Sequence, residues 1–180
     1  MKTLFPRTLA GAAAIMAAAC PVHAQQAASP PAAPAPVLEF AFEEIVTLAA
    51  DIPVGRTALG ERNIVPITGG TFEGPGEGPG IRGTIIPGGW DWQLRRPDGC
   101  TQIKADYMLR TDDGVVINVV NSGVLCRSAD GALVPARTTP VFEVPVGKYD
   151  WLGKSAFIGT LEPVKLPSGP AVKIRFYRAR

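Results

Sequence analysis

Two acidic residues stand inside glycine motifs: Glu73 in Gly69-Gly70-Thr71-Phe72-Glu73-Gly74, and Asp91 two places after Gly88-Gly89. Carboxyl groups brought together in a partly buried pocket acquire raised pKa values and serve as acid and base. The plainer reading has each accept backbone N–H bonds in a glycine turn. Tyr107 is the third proton-bearing candidate, with Asn121 diagonal to it across a strand pair. A tyrosine hydroxyl donates or accepts, and a carboxamide orients a bound carbonyl or hydroxyl; a core tyrosine bonded to a neighbour is the competing reading. Arg137 offers either a fork for a carboxylate or a surface pair with Glu143. Trp92 and Trp151, with Trp90, supply flat apolar surface for a ligand, or else plugs for the ends of a closed sheet. Asp91 and Tyr107 are thus the catalytic candidates, and Glu73, Trp92, Asn121, Arg137 and Trp151 the ligand-binding ones.

Composition narrows the chemistry. The single histidine is His23, and it falls in a segment that reads as a signal peptide. Without it, Ser-His-Asp and Cys-His catalysis and histidine-bound metals are excluded. The acidic residues are too sparsely spaced to cage a hard cation, so no metal is expected. The run from Gly69 to Gly83 lacks a Gly-Lys-Ser/Thr ending and opens no helix, which argues against a phosphate cradle. No cofactor is expected. Removing Lys2 and Arg7 from the 18 basic residues leaves 16, against 16 acidic ones, so the remainder is neutral and lacks the footprint of a nucleic-acid binder.

The elements that position these residues read as strands. Apolar residues never hold helical spacing over ten positions, because Gly and Pro interrupt too often. Two-residue alternation appears instead, in Leu38, Phe40 and Phe42 and again in Val172, Ile174 and Phe176. Further strands are predicted near 62–68, 83–95, 101–111, 115–126, 137–144 and 155–162. Eight or so strands with short connections define an antiparallel barrel or sandwich. The turn at Asp112-Asp113-Gly114 fixes one register, in which partner numbers sum to 226. Ile103, Ala105, Tyr107 and Leu109 then face inward opposite Gly123, Asn121, Val119 and Ile117. Cys100 and Cys126 obey the same sum, and in an oxidising compartment they form a structural disulfide contributing roughly 3 kcal/mol by the chain-entropy argument. Two free thiols one register slip apart is the alternative.

The chain divides into three parts. Residues 1–24 carry a basic start, an apolar stretch from Leu9 to Ala19 and a Val22-His23-Ala24 cleavage site, as a secretory signal does. That stretch is too short to span a bilayer. Export to the periplasm or beyond follows as an expectation; a lipoprotein anchored through Cys20 is the competing one. Residues 25–36 are a Pro/Ala-rich tether expected to be disordered, and residues 37–180 form one domain.

Several motifs together resemble the family catalogued as domain of unknown function 3237, also uncharacterised protein family 0311. They are Ile67 to Pro75, Gly88-Gly89 with Asp91-Trp92, and Ala105-x-Tyr107-x-Leu109-Arg110-Thr111 with Asp113-Gly114. Arg137-Thr138-Thr139-Pro140 with Phe142-Glu143, and Tyr149-Asp150-Trp151-Leu152, complete the set. The resemblance implies a calycin-type closed β-barrel and no established activity. We therefore expect an all-β, closed or nearly closed antiparallel barrel of eight to ten strands that binds a small apolar or aromatic molecule in its lumen or mouth. The alternatives are a cofactor-independent isomerase, cyclase or lyase, and a side-chain-filled barrel acting through its surface.

Overall fold

A computed structural model describes residues 34–180, with nine strands. The expected signal segment, Cys20 and most of the expected tether lie outside the described residues. The strands are β1 (Leu38–Leu48), β2 (Ile52–Thr57), β3 (Gly60–Gly74), β4 (Ile81–Arg95) and β5 (Thr101–Thr111). They continue with β6 (Val116–Leu125), β7 (Ala136–Glu143), β8 (Phe157–Leu166) and β9 (Gly169–Ala179).

Neighbours in sequence pair antiparallel from β2 through to β9, and β1 pairs with both β9 and β3. This closes eight strands into a barrel. β2 lies outside the closure: it pairs with Gly60–Ile64 of β3 while β1 takes Ile67–Glu73 of the same edge. The sequence did not reveal β2, because Pro53 and Gly55 interrupt its alternation and it buries almost nothing.

One end of the barrel is filled. Phe42, Phe142, Phe157 and Phe176 stack there, with ring centroids 4.9 Å apart for Phe42–Phe176 and 5.1 Å for Phe142–Phe157. Each fully buried aromatic contributes about 1.5–3 kcal/mol relative to exposure. The loop between β7 and β8 lays Trp151 and Leu152 over this cluster, both buried. Its neighbour Tyr149 donates a 3.0 Å hydrogen bond to Asp113 in the β5–β6 turn, which fastens the lid to the barrel wall.

The hairpin register is as the sequence predicted: every β5–β6 pair from Thr101↔Leu125 to Arg110↔Val116 sums to 226. Cys100 and Cys126 are bonded, with Cα atoms 4.4 Å apart. The alternation at the start of β1 needs correction. Leu38 and Phe40 are exposed and only Phe42 is buried, because a bulge at Ala41 shifts the pairing from Phe40↔Tyr177 to Phe42↔Phe176.

Closure brings β1 and β3 very near each other at Gly70. A Cβ there would lie 2.0 Å from the Ile45 carbonyl oxygen, and φ is 133°. Gly70→Ala is therefore expected to destabilise the barrel by more than about 2 kcal/mol. Gly153→Ala, whose added methyl meets ordinary contacts no nearer than 3.5 Å, should stay within about 0.5 kcal/mol of wild type. Urea unfolding of the two variants measures both; equal losses would sink the argument.

Candidate functional site

The end opposite the aromatic lid stays open. A cavity of about 60 Å³ runs inward from it, lined mainly by Val46, Ile67, Ile103, Ala105, Leu125 and Ile174. The same lining holds four polar side chains: Asp91, Gln93, Tyr107 and Asn121. The volume accommodates several waters or a few heavy atoms.

Strand register sets the depth of each group. Ala105 stands directly opposite Asp91 on β4 and Asn121 on β6, so the carboxyl and the carboxamide flank a small residue in one row. Tyr107 lies two residues deeper along β5. It fits there because Gly89 has no side chain: a Cβ at Gly89 would lie 2.5 Å from the Tyr107 Cβ. The second glycine motif thus serves to seat the tyrosine against β4.

At the cavity floor the Tyr107 hydroxyl donates a 2.6 Å hydrogen bond to Oε2 of Glu44, and both side chains are buried. Glu44 points inward from β1 in series with Phe42 and Val46, between the aromatic cluster and the cavity. Burial pushes its carboxyl up to about 8, opposed only by the bond from Tyr107. At neutral pH it is therefore an uncharged acid. Burial, and then the neighbouring Glu44 charge, hold the Tyr107 phenol well above its ordinary value. Burial also raises Asp91, although Gln93 Nε2 at 2.8 Å and the Lys104 amide at 3.2 Å both donate to its carboxyl and limit the rise.

Three buried oxygens inside the barrel, Glu44 Oε1, Asn121 Oδ1 and Thr138 Oγ1, have no hydrogen-bond partner. Such atoms are rare, because each forfeits its solvation without return. Thr138 is held at its place by Gly159, where a Cβ would come within 2.1 Å of Oγ1.

The candidates named from sequence separate into two groups. Asp91, Tyr107 and Asn121 converge on the cavity. The others do not reach it. Glu73 is exposed on the outer face of β3 near the lidded end, and so does not meet Asp91. Trp92 is 45% exposed. Arg137 alternates outward between buried Ala136 and Thr138, and its Nη1 donates to the Ala136 carbonyl at 3.0 Å. Trp151 is buried, but in the lid. Glu44 was missed because it follows Glu43 and reads as part of a wet acidic pair; its parity with Phe42, Val46 and Leu48 was the available signal. Among the described residues no three His, Cys, Asp or Glu side chains converge as metal ligands.

A small closed antiparallel barrel, lidded at one end and carrying a buried acid–phenol pair under a narrow cavity, is the class that fold and site define. Within it, the chain belongs to the family described as protein of unknown function (DUF3237), which matches residues 36–179. A UPF0311 protein of Rhodopseudomonas palustris (strain TIE-1) is 34% identical over 141 residues, covering 69% of this chain and 88% of that protein. A crystal structure of a β-barrel-like protein from Acinetobacter baumannii AYE superimposes with a TM-score of 0.74 at 30% identity, covering 83% of this chain and 99% of that one. A hydroalkoxylation enzyme of Penicillium herquei is 28% identical over 125 residues, which is 69% of this chain and 74% of the enzyme. The structure of an enzyme from the same organism gives a TM-score of 0.62 at 26% identity, over 83% and 99% of the two chains.

The raised Glu44 carboxyl makes stability depend on pH. Folded, Glu44 keeps its proton up to about 8; unfolded, it releases it near 4.5. Between these values the unfolded chain holds fewer protons, so stability falls as pH rises, by at most about 1.4 kcal/mol per pH unit. Wild type should lose several kcal/mol across that window. Glu44→Gln, which keeps an acceptor for Tyr107, should flatten the slope. Urea midpoints taken at both ends of the window check this, and parallel curves for the two proteins would refute it.

Proposed function

We propose that the barrel is a cofactor-independent acid–base catalyst acting on a small unsaturated molecule whose reacting end enters the open cavity. The observation that carries this reading is the buried Glu44–Tyr107 pair beneath an otherwise apolar pocket. A fold needing only stability would fill that place with another aliphatic side chain, since a buried carboxyl costs folding energy.

The reaction class is the addition of an O–H group across a carbon–carbon double bond, or its reverse, and the likeness to a hydroalkoxylation enzyme supports it. One C–O and one C–H bond form while one O–H and one C=C π bond break, with no change of oxidation state overall. Tyr107 delivers its proton to carbon and takes one from Glu44; the 2.6 Å separation suits a hydrogen bond in either sense once Glu44 is protonated. Asp91 accepts the proton leaving the substrate hydroxyl, the Asn121 carboxamide N–H donates to the oxygen of that hydroxyl, and exchange with solvent after product release takes the proton from Asp91 and restores one to Glu44. Water exclusion by the apolar lining protects the electron-deficient carbon from competing attack.

The small volume also favours a second reading: a binding module that takes up an apolar group without turning it over. Export through the N-terminal segment belongs to either version, and the Cys100–Cys126 bond supports it because such bonds persist in oxidising compartments.

Incubating the protein with a panel of alkenyl phenols and alkenyl alcohols in heavy water distinguishes these readings. Turnover should place one deuterium on the former alkene carbon of a cyclic ether. Tyr107→Phe and Glu44→Gln should each slow product formation by about 100-fold or more, and Asp91→Asn by about tenfold. Saturable binding without deuterated product leaves the module. Full activity in Tyr107→Phe removes the catalytic assignment.

A further inference from the structure

The narrow cavity does not end at the barrel rim. A second, wider space of about 330 Å³ adjoins it and shares two of its walls, Gln93 and Leu125. Its other walls include Arg95 at the end of β4, Thr101 at the start of β5, and Arg127 and Leu133 from the loop after β6. The shared walls set the two compartments side by side at the open end of the barrel. Their chemistry differs sharply. The inner one is lined by one carboxyl group, that of Asp91, and no cation, whereas the outer one faces two arginines and no acidic side chain.

Both arginines are available to a ligand. Neither Arg95 nor Arg127 pairs with a carboxylate among the described residues, and both are exposed. Arg127 is also pre-set in direction: its Nη1 donates a 2.9 Å bond to the Gly131 carbonyl, within a loop closed by the Arg127↔Leu133 bridge. The Cys100–Cys126 bond ties the base of that loop to the start of β5. The charged walls are therefore mounted on a cross-linked rim rather than on a free tip.

We infer that this outer space is an anion subsite, in which Arg95 and Arg127 receive the carboxylate of a substrate whose neutral unsaturated end reaches the inner cavity. This rests on the reading of the inner cavity as the reacting compartment, and it names the substrate class: an amphiphilic unsaturated acid. A guanidinium fork matches a carboxylate geometrically and stays charged at any pH the protein meets. The inner cavity offers a carboxylate no cation and is walled mainly by aliphatic side chains, so the apolar end of the molecule enters first. The clamp that the sequence suggested for Arg137 falls instead to two arginines whose positions depend on how the rim loops fold back.

The test uses a matched pair of probes, 4-vinylbenzoate and 4-vinylbenzamide, which share a skeleton and a vinyl end but differ in charge. Affinities are measured by calorimetry or ligand-observed NMR at low and high salt. Wild type should bind the benzoate about tenfold more tightly than the amide at low ionic strength, and salt should shrink that ratio. In the Arg95→Gln/Arg127→Gln protein the ratio should fall to near one. Because both probes are measured on the same variant, partial misfolding does not mimic the result. Equal affinities in wild type overturn the inference, as does a ratio that survives the double substitution, or the absence of binding by either probe at millimolar concentration. The two readings fail separately. Turnover of neutral alkenols without a charge preference removes only the anion subsite, and a charge preference without turnover of any alkenol removes only the acid–base chemistry.

Discussion

Strand β1 is hydrogen-bonded along both edges, to β9 on one side and β3 on the other, and this double pairing creates an interior. Without it the remaining strands form an open, curled sheet whose apolar face meets water and whose edges invite association. Closure places demands on particular residues. The backbones of β1 and β3 approach so closely at Gly70 that no side chain fits, and the pairing also slips at Thr47–Leu48. The same strand that closes the wall carries Glu44 to its centre. Sealing the barrel and burying its acid are thus one structural event.

The interior is polarised along its axis. Phenylalanine rings and the loop bearing Trp151 and Leu152 occupy one end, and short aliphatic side chains leave room at the other. Glu44 and Tyr107 lie at the boundary. Packed aromatics on one side deny the carboxyl any solvent, and that is why it holds its proton so tightly. Had the rings been placed symmetrically, either the cavity would vanish or water would reach the acid from behind.

Much of this is legible in the sequence. The Asp112-Asp113-Gly114 turn fixes the hairpin register, and with it the inward positions of Tyr107 and Asn121 and the bond between Cys100 and Cys126. Alternation from Val172 to Phe176 located the last strand. What escaped was whatever depends on an irregularity or on distant chain. The bulge at Ala41 breaks the parity of β1, exposing Phe40 while Phe42 stays inside. A slip between Ile86 and Trp90 likewise separates the β4 residues into two registers, so motif membership said little about which side Asp91 or Trp92 would face. Glu73, Trp92 and Arg137 were drawn in by their motifs, yet each stands on the outer wall. The partner of Tyr107 lies 63 residues away in sequence, a distance over which local pattern carries no information.

Both described ends of the chain meet at the plugged pole. Val37 and Arg180 exchange backbone hydrogen bonds of 3.1 and 2.9 Å there, beyond the Phe40–Tyr177 contact. The opening lies at the far pole, among the rim loops held by Cys100 and Cys126. Anything fastened to the barrel at Val37 or Arg180, whether a surface, a carrier protein or an affinity handle, therefore attaches at the pole away from the entrance. Immobilised in that way, every copy would present its doorway to the passing medium in the same orientation.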